Sequence, residues 1–249
     1  MSFEQFSAGS SLLHQADPRG KLVSAGLLSL VFALCQQPRT AVAGLLLSLL
    51  LTAIAQLSWL TVFRRLLLVN GFNLLLWLLL PLTYGGVETL RCAGLDLSLN
   101  GLRLAALITM KSNAAVLLFI SLLSTSTVAR LGQGLHALRL PQNLCLLLLF
   151  AYRYLGLIHE EFLRLRVAAE LRCFQPGTNL HSYRSYSYLL GMVIVRSWNR
   201  AARVQQAMIL RGFSGTFHSL HVMQLRRSDT LLTVALLLAA VLLAAVELE

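Results

Sequence analysis

Residues 142–174 read "QNLCLLLLFAYRYLGLIHEEFLRLRVAAELRCF", a segment that begins as apolar as a membrane span and turns polar from Arg153. As one helix of 33 residues it would reach about 50 Å at 1.5 Å per residue. Such a helix starts at membrane depth and runs out over the cytoplasmic side. The stop "QPGTN" follows at 175–179, and a second long helix is expected from about Ser185 to Phe213. The fold is therefore read as membrane helices joined to long helices outside the bilayer.

The rest of the chain agrees with this reading. Of its 249 residues, 57% are hydrophobic and only 12% charged, too apolar for a soluble surface. Five stretches are long and apolar enough to be spans, at about 21–36, 40–58, 66–82, 101–124 and 229–246. Asp17 and Pro18 in "ADPRGK" supply a start signal for the first, and Pro38 separates it from the second. The N-terminus "MSFEQFSAGS" carries Glu4 and no basic region, so the first apolar run is expected to be retained as a span. The expected architecture is an all-α integral membrane protein in three parts. Residues 1–124 hold spans one to four, 125–227 a coupling region with an amphipathic helix and two long helices, and 228–249 the last span.

Net charge is +11, and 13 of the 19 arginines fall between Arg130 and Arg227. Arg19 and Lys21 before span one, Arg64 and Arg65 between spans two and three, and the basic segment after span four all lie on one side. Positive charge accumulates on cytoplasmic loops, which puts the N-terminus in the cytoplasm of a multi-pass protein of the cell (inner) membrane. This also accounts for the high isoelectric point, and no nucleic-acid-reading module accompanies the charge, so nucleic acid is excluded as a partner. "TVARLGQGLHALRLP", stopped by Pro141, has the spacing of a short amphipathic helix at the membrane surface.

On the second long helix Arg196, Arg200, Arg203, Ala207 and Arg211 succeed one another by four, three, four and four residues and form one stripe. A solvated basic face is the ordinary explanation. Here Ala201, Ala202, Val204, Met208 and Leu210 leave the other faces small or apolar, so the helix can lie against a neighbour while presenting arginines to something acidic. Glu160 and Arg164 make an ordinary i, i+4 pair. The two helix ends carry a stronger signal. "VAAELRCFQPG" at 167–177 and "QQAMILRGFSG" at 205–215 share Ala-x-x-Leu-Arg-x-Phe at an offset of 39 residues, matching Ala168, Leu171, Arg172 and Phe174 with Ala207, Leu210, Arg211 and Phe213. A cation in a last turn complements the helix dipole. That explains one such end, whereas a repeat of ends points to a two-fold partner with two equivalent grooves.

The double motif resembles the paired Ala-Arg-Gly signatures of the transmembrane T components of energy-coupling factor transporters. "LRGFSG" keeps Arg211-Gly212, while "LRCFQPG" has Cys173 after Arg172, and leucine precedes both arginines. "LLHQADPRGKL" resembles the family's N-terminal His-x-x-Asp-Pro-Arg-x-Lys signature, and "STSTVARLGQGLHALRLP" with "RYLGLIHEE" its central pattern. "LRCFQPGTNLHSYRSYSYLLGMVIVRSWNRAARVQQAMILRGF" is similar to the CbiQ type of the cobalt and nickel group. The resemblance implies a scaffold and coupling subunit of an ATP-driven importer. Ala168, Leu171, Arg172, Cys173, Ala207, Leu210, Arg211 and Gly212 would dock on two ABC-type (CbiO-like) ATPase subunits. A metal-binding S component (CbiM-like), with or without a small CbiN-like subunit, would hold the transported Co2+ or Ni2+. ATP would be bound by the partner subunits, with no cofactor and no metal site in this chain.

Two other classes compete with this reading. A membrane enzyme is disfavoured, since the chain has no GxxxxGK[ST], no HExxH and only ten acidic residues. His218 and His221 offer two ligands at most, and Cys35, Cys92, Cys145 and Cys173 lack ligand or disulfide spacing. A stand-alone carrier or channel should have polar or broken mid-membrane helices, whereas only Asn70, Asn73, Lys111, Ser112 and Asn113 stand out. Lys111 within span four is a candidate functional charge facing a polar cavity or a partner. A T component for another micronutrient, such as a vitamin, is the remaining alternative.

Overall fold

The computed structural model describes residues 9, 11–83, 89–92, 95–215 and 227–248. Among them the chain is helical apart from one two-stranded hairpin. In order the elements are α1 (Leu12–Gln15), α2 (Pro18–Leu34), α3 (Pro38–Ile54), α4 (Trp59–Thr83), β1 (Thr89–Cys92), β2 (Leu95–Ser98), α5 (Leu99–Leu122), α6 (Val128–Ala137), α7 (Gln142–Glu170), α8 (Leu180–Leu210) and α9 (Arg227–Leu248). The hairpin is antiparallel and sets Arg91 opposite Asp96. Two compact units result, residues 1–138 with 223–249, and residues 139–222.

The first unit is a helix bundle around α5, which packs on α2, α3 and α4, while α9 lies on α2 and α3 and α6 lies on α2. Its helix starts are fixed by local chemistry. Asp17 Oδ1 accepts the Arg19 N–H at 2.9 Å beside Pro18, Ser98 Oγ accepts the Gly101 N–H at 3.2 Å, and Thr127 Oγ1 accepts the Arg130 N–H at 3.4 Å. Each satisfies a donor that the first helical turn leaves unpaired. Leu28, Phe32, Leu51, Val62, Leu117, Leu118 and Leu122 fill the core. Where α2 crosses α9 the chains touch so closely that a Cβ on Gly20 would fall 1.7 Å from Thr233 Cγ2.

Outside that core the bundle stays apolar. Leu68, Phe72, Leu74 and Leu78 of α4 and Leu238, Val241 and Leu242 of α9 are exposed, the surface that lipid rather than water accommodates. α4, α5 and residues Ser228–Glu247 of α9 are long and apolar enough to cross a bilayer. α2 and α3 also coincide with expected spans, but each has 17 residues, about 25 Å of helix. Among the expected spans, the start of α4 departs furthest from expectation. α4 begins at Trp59 rather than near residue 66, so Arg64 and Arg65 are helical and the turn shrinks to residues 55–58, where Gln56 takes a φ of 51°. Helix α4 starts this early because the Thr61 and Val62 N–H groups already reach the Ser58 carbonyl, at 3.0 and 3.2 Å.

Several polar side chains of the bundle bond between helices. Asn73 donates to Ser112 Oγ at 2.8 Å and Trp77 to Thr109 Oγ1 at 2.9 Å, which stitches α4 to α5. Lys111 donates to the Ala33 carbonyl at 3.2 Å, capping the last turn of α2.

Candidate functional site

The second unit consists of α7 and α8 laid antiparallel. Near the connection Phe174 packs on Tyr186, edge to face at 5.6 Å, and on His181 at 6.4 Å. Midway Glu161 meets Arg196 and Arg200. Toward the start of α7, Phe150, Tyr154 and Ile158 face Val204, Met208 and Phe213 across an apolar groove of about 510 Å³. Arg172 thus stands at the connection and Arg211 at the other end of α8. With 31 residues in α8, the two ends lie about 45 Å apart at 1.5 Å per residue.

Both ends close on one and the same turn. At the end of α7 the Arg172 N–H reaches the Ala169 carbonyl at 3.0 Å, the Cys173 N–H the Glu170 carbonyl at 3.0 Å, and the Phe174 N–H the Ala169 carbonyl at 3.1 Å. At the end of α8 the Arg211 N–H reaches Met208 at 3.0 Å, the Gly212 N–H Ile209 at 2.9 Å, and the Phe213 N–H Met208 at 3.1 Å. Every donor and acceptor is displaced by the same 39 residues. This is the Schellman closure, in which the residue after the cap takes a left-handed conformation so that orphan carbonyls find partners. Cys173 has φ 64° and Gly212 φ 78°. The left-handed residue is what stops each helix. Regular α7 therefore ends at Glu170 and α8 at Leu210, three residues before the expected Phe213, while α8 begins five residues earlier than expected, at Leu180.

The predicted residues are distributed around this turn in the same way twice. Ala168 and Ala207 are exposed one helical turn before each arginine. Leu171 and Leu210 are 81% and 88% exposed. Arg172 and Arg211 are exposed, and neither forms an ion pair among the described residues. The phenylalanines instead turn inward.

The arginine stripe divides. Arg196 donates to Glu161 Oε1, and Arg200 Nη2 lies 3.6 Å from Glu161 Oε2, so for these two the acidic partner lies within the unit. Glu161 is buried, and the Arg196 hydrogen bond draws its carboxyl below the ordinary range against the opposing effect of burial, with the charges of Arg196, Arg164 and Arg200 assisting. Arg203 stays exposed and forms no ion pair among the described residues. Sequence reasoning missed Glu161 because Glu160, at 3.9 Å from Arg164, already completes a local pair. The adjacent second glutamate was the signal, since one of two neighbours on a helix must face another direction.

The N-terminal signature forms a buried polar cluster in the first unit. Lys21 is fully buried and donates to Ser126 Oγ at 2.7 Å and Thr125 Oγ1 at 3.4 Å, while Arg130 donates to the His14 carbonyl at 3.3 Å. The two quoted signature segments, around Asp17 and around Thr127, are thereby in contact. No group of three His, Cys, Asp or Glu gathers among the described residues. His218 and His221 lie outside the described residues.

An apolar helix bundle and a helical hairpin closed twice by one arginine-bearing turn define a multi-pass membrane protein, and its relatives place it among transport proteins. The family model described as "Cobalt transport protein" (CbiQ) matches residues 9–224. The chain belongs to the CbiQ family. It is 25% identical over 223 residues to the energy-coupling factor transporter transmembrane protein EcfT of Streptococcus equi, covering 85% of this chain and 82% of that one. It is 28% identical to the cobalt transport protein CbiQ of Rhodobacter capsulatus over 61% of this chain and 62% of the relative. It is 34% identical to the nickel permease LarQ of Lactiplantibacillus plantarum over 34% of this chain and 30% of the relative. The matched regions thus span less than two thirds of the cobalt protein and of the nickel permease.

Proposed function

We propose that this chain is the T component of an ATP-driven importer of the energy-coupling factor type, with Co2+ or Ni2+ as cargo. Arg172 and Arg211 each dock in a groove of one ABC-type ATPase subunit, and α7 and α8 carry the movement of the closing ATPases to a metal-binding S component. ATP belongs to the ATPases and the metal to the S component, with none held by this chain. The N-terminus and the α7–α8 hairpin are cytoplasmic. In that orientation a cysteine introduced near residue 90, in a Cys-free background, reacts with an impermeant thiol reagent from outside and one near residue 180 does not.

The observation that carries this reading is the recurrence of one closing turn, bond for bond, at two points about 45 Å apart. A helix-dipole role asks only for positive charge. A docking role asks for a guanidinium, whose planar fork pairs carboxylates and carbonyls in a way an ammonium does not. Loss of one such contact with its acceptor left buried costs about 2 to 5 kcal/mol. Arg172→Ala with Arg211→Ala is therefore expected to release the ATPases and abolish metal uptake, and the double Lys variant to be nearly as impaired. Arg200→Ala should do much less. Wild-type pull-down and uptake by the double Ala variant would remove the proposal, as would metal uptake into vesicles by this chain alone.

A further inference from the structure

Each end of the hairpin carries two large apolar side chains beside its arginine, and the turn treats them oppositely. Phe174 folds back onto His181 and Tyr186, and Phe213 lines the groove opposite Phe150 and Tyr154. Leu171 and Leu210 point the other way. At 88%, Leu210 is the most exposed large apolar side chain among the described residues, and Leu171 at 81% is close behind. Single exposed leucines are ordinary on protein surfaces. Two in the same position of the same turn, each before an exposed arginine that forms no ion pair among the described residues, are a repeated surface. Ala168 and Ala207, three residues before each leucine, are exposed too, so the adjoining face is flat enough for a partner to close over leucine and arginine together.

We propose that Leu171 and Leu210 are apolar plugs, each seated in a hydrophobic pocket of the ATPase beside the acceptor of the neighbouring arginine. The inference rests on the docking reading above. One ATPase copy per end is required because the ends are about 45 Å apart, so no single pocket can hold both. The shared turn geometry suits two pockets of like shape, as two copies of one subunit provide. The two side chains at each end divide the task. The arginine supplies a directional, salt-sensitive contact, and the leucine supplies an apolar one whose full burial is worth about tenfold to a hundredfold in affinity.

The test uses the full-length chain in nanodiscs, titrated with the ABC-type ATPase that co-purifies with the wild-type chain and is then purified separately. Leu171→Ala with Leu210→Ala is expected to weaken binding at least tenfold, and Leu171→Met with Leu210→Met to stay within about threefold of wild type. Leu171→Gln with Leu210→Gln, which keeps length and helix propensity, should fail like the Ala pair. Raising salt to roughly 0.5 M should erode the contribution of Arg172 and Arg211 and leave that of the leucines intact. Binding by the Gln pair within threefold of wild type, while Arg172→Ala with Arg211→Ala has lost the ATPase, would overturn the plugs and leave the docking reading standing. If the arginine variant also binds as wild type does, both fall together.

Discussion

The end of α7 and the end of α8 close on the same turn but are built from different material. At Gly212 the left-handed conformation costs nothing in side-chain sterics, whereas at Cys173 a Cβ is forced against the backbone, a penalty of about 1 to 2 kcal/mol. The inward phenylalanines differ as well, Phe174 resting on aromatic neighbours across the connection and Phe213 on the wall of an open groove. Glycine is therefore not what specifies the turn. The shared elements are the Leu-Arg-x-Phe spacing, which puts an apolar residue where it can fold back, and the two amide-to-carbonyl bonds that the fold-back permits.

The comparison holds only while the two helices are fixed against each other, and Glu161 is the residue whose loss should break it most. Replacing it by Ala leaves Arg196 and Arg200 beside each other without the carboxylate they share, and leaves Arg164 with Glu160 alone. The α7–α8 hairpin is expected to become sensitive to proteolysis at 139–222 while the bundle remains intact. pH should act through the same carboxyl. Its folded-state affinity for a proton is lowered from an ordinary value of 4.5, with the Arg196 hydrogen bond as the largest cause. The ion pair's contribution is accordingly complete above that value and lost as pH falls below it. Glu161→Gln should abolish this acid dependence of protease resistance. An unchanged acid profile in the Gln variant would show that Glu161 does not hold the hairpin.

What the sequence made legible followed from strong local signals. The bundle helices were readable from runs of about 20 apolar residues, and the ends of α7 and α8 from a seven-residue repeat. The start of α4 was not, because Arg64 and Arg65 look like a loop although long cationic side chains can extend from a helix to an aqueous boundary. The partner of Arg196 was equally hidden, since Glu161 lies 35 residues away and tertiary pairing leaves no periodic trace. The hairpin of β1 and β2 lies in the connection between the third and fourth expected spans, where no strand was expected. The burial of Lys21 went unread for a similar reason. An N-terminal lysine looks like a topology signal until Ser126 and Thr125 are brought beside it.

Gly212→Val attacks the comparison at its second end and should have a smaller effect than loss of Glu161. A β-branched residue at φ 78° is a genuine steric outlier, and about 1 to 2 kcal/mol of strain is expected to open the closing turn. The Phe213 amide should then exchange with solvent roughly tenfold faster, with the helix amides upstream of Met208 little changed. Protection retained at Phe213 would mean that the groove contacts, rather than the left-handed residue, hold the end of α8.

Cys173→Gly makes the two ends alike at the left-handed position and should have the smallest effect, with the opposite sign. Glycine removes a steric penalty of about 1 to 2 kcal/mol at the left-handed position but adds backbone freedom to the unfolded chain worth about 0.5 to 1 kcal/mol. The first exceeds the second, so the variant should close the end of α7 more firmly by about 0.5 kcal/mol. That corresponds to roughly twofold slower exchange of the Phe174 amide, measured with the chain in nanodiscs and compared with Phe213 as an internal reference. Because Cys173 is exposed, no packing is lost that could mask the gain. Faster exchange at Phe174 would show that the cysteine side chain contributes a contact of its own at this end, and that the two turns, alike in hydrogen bonds, are held closed by different forces.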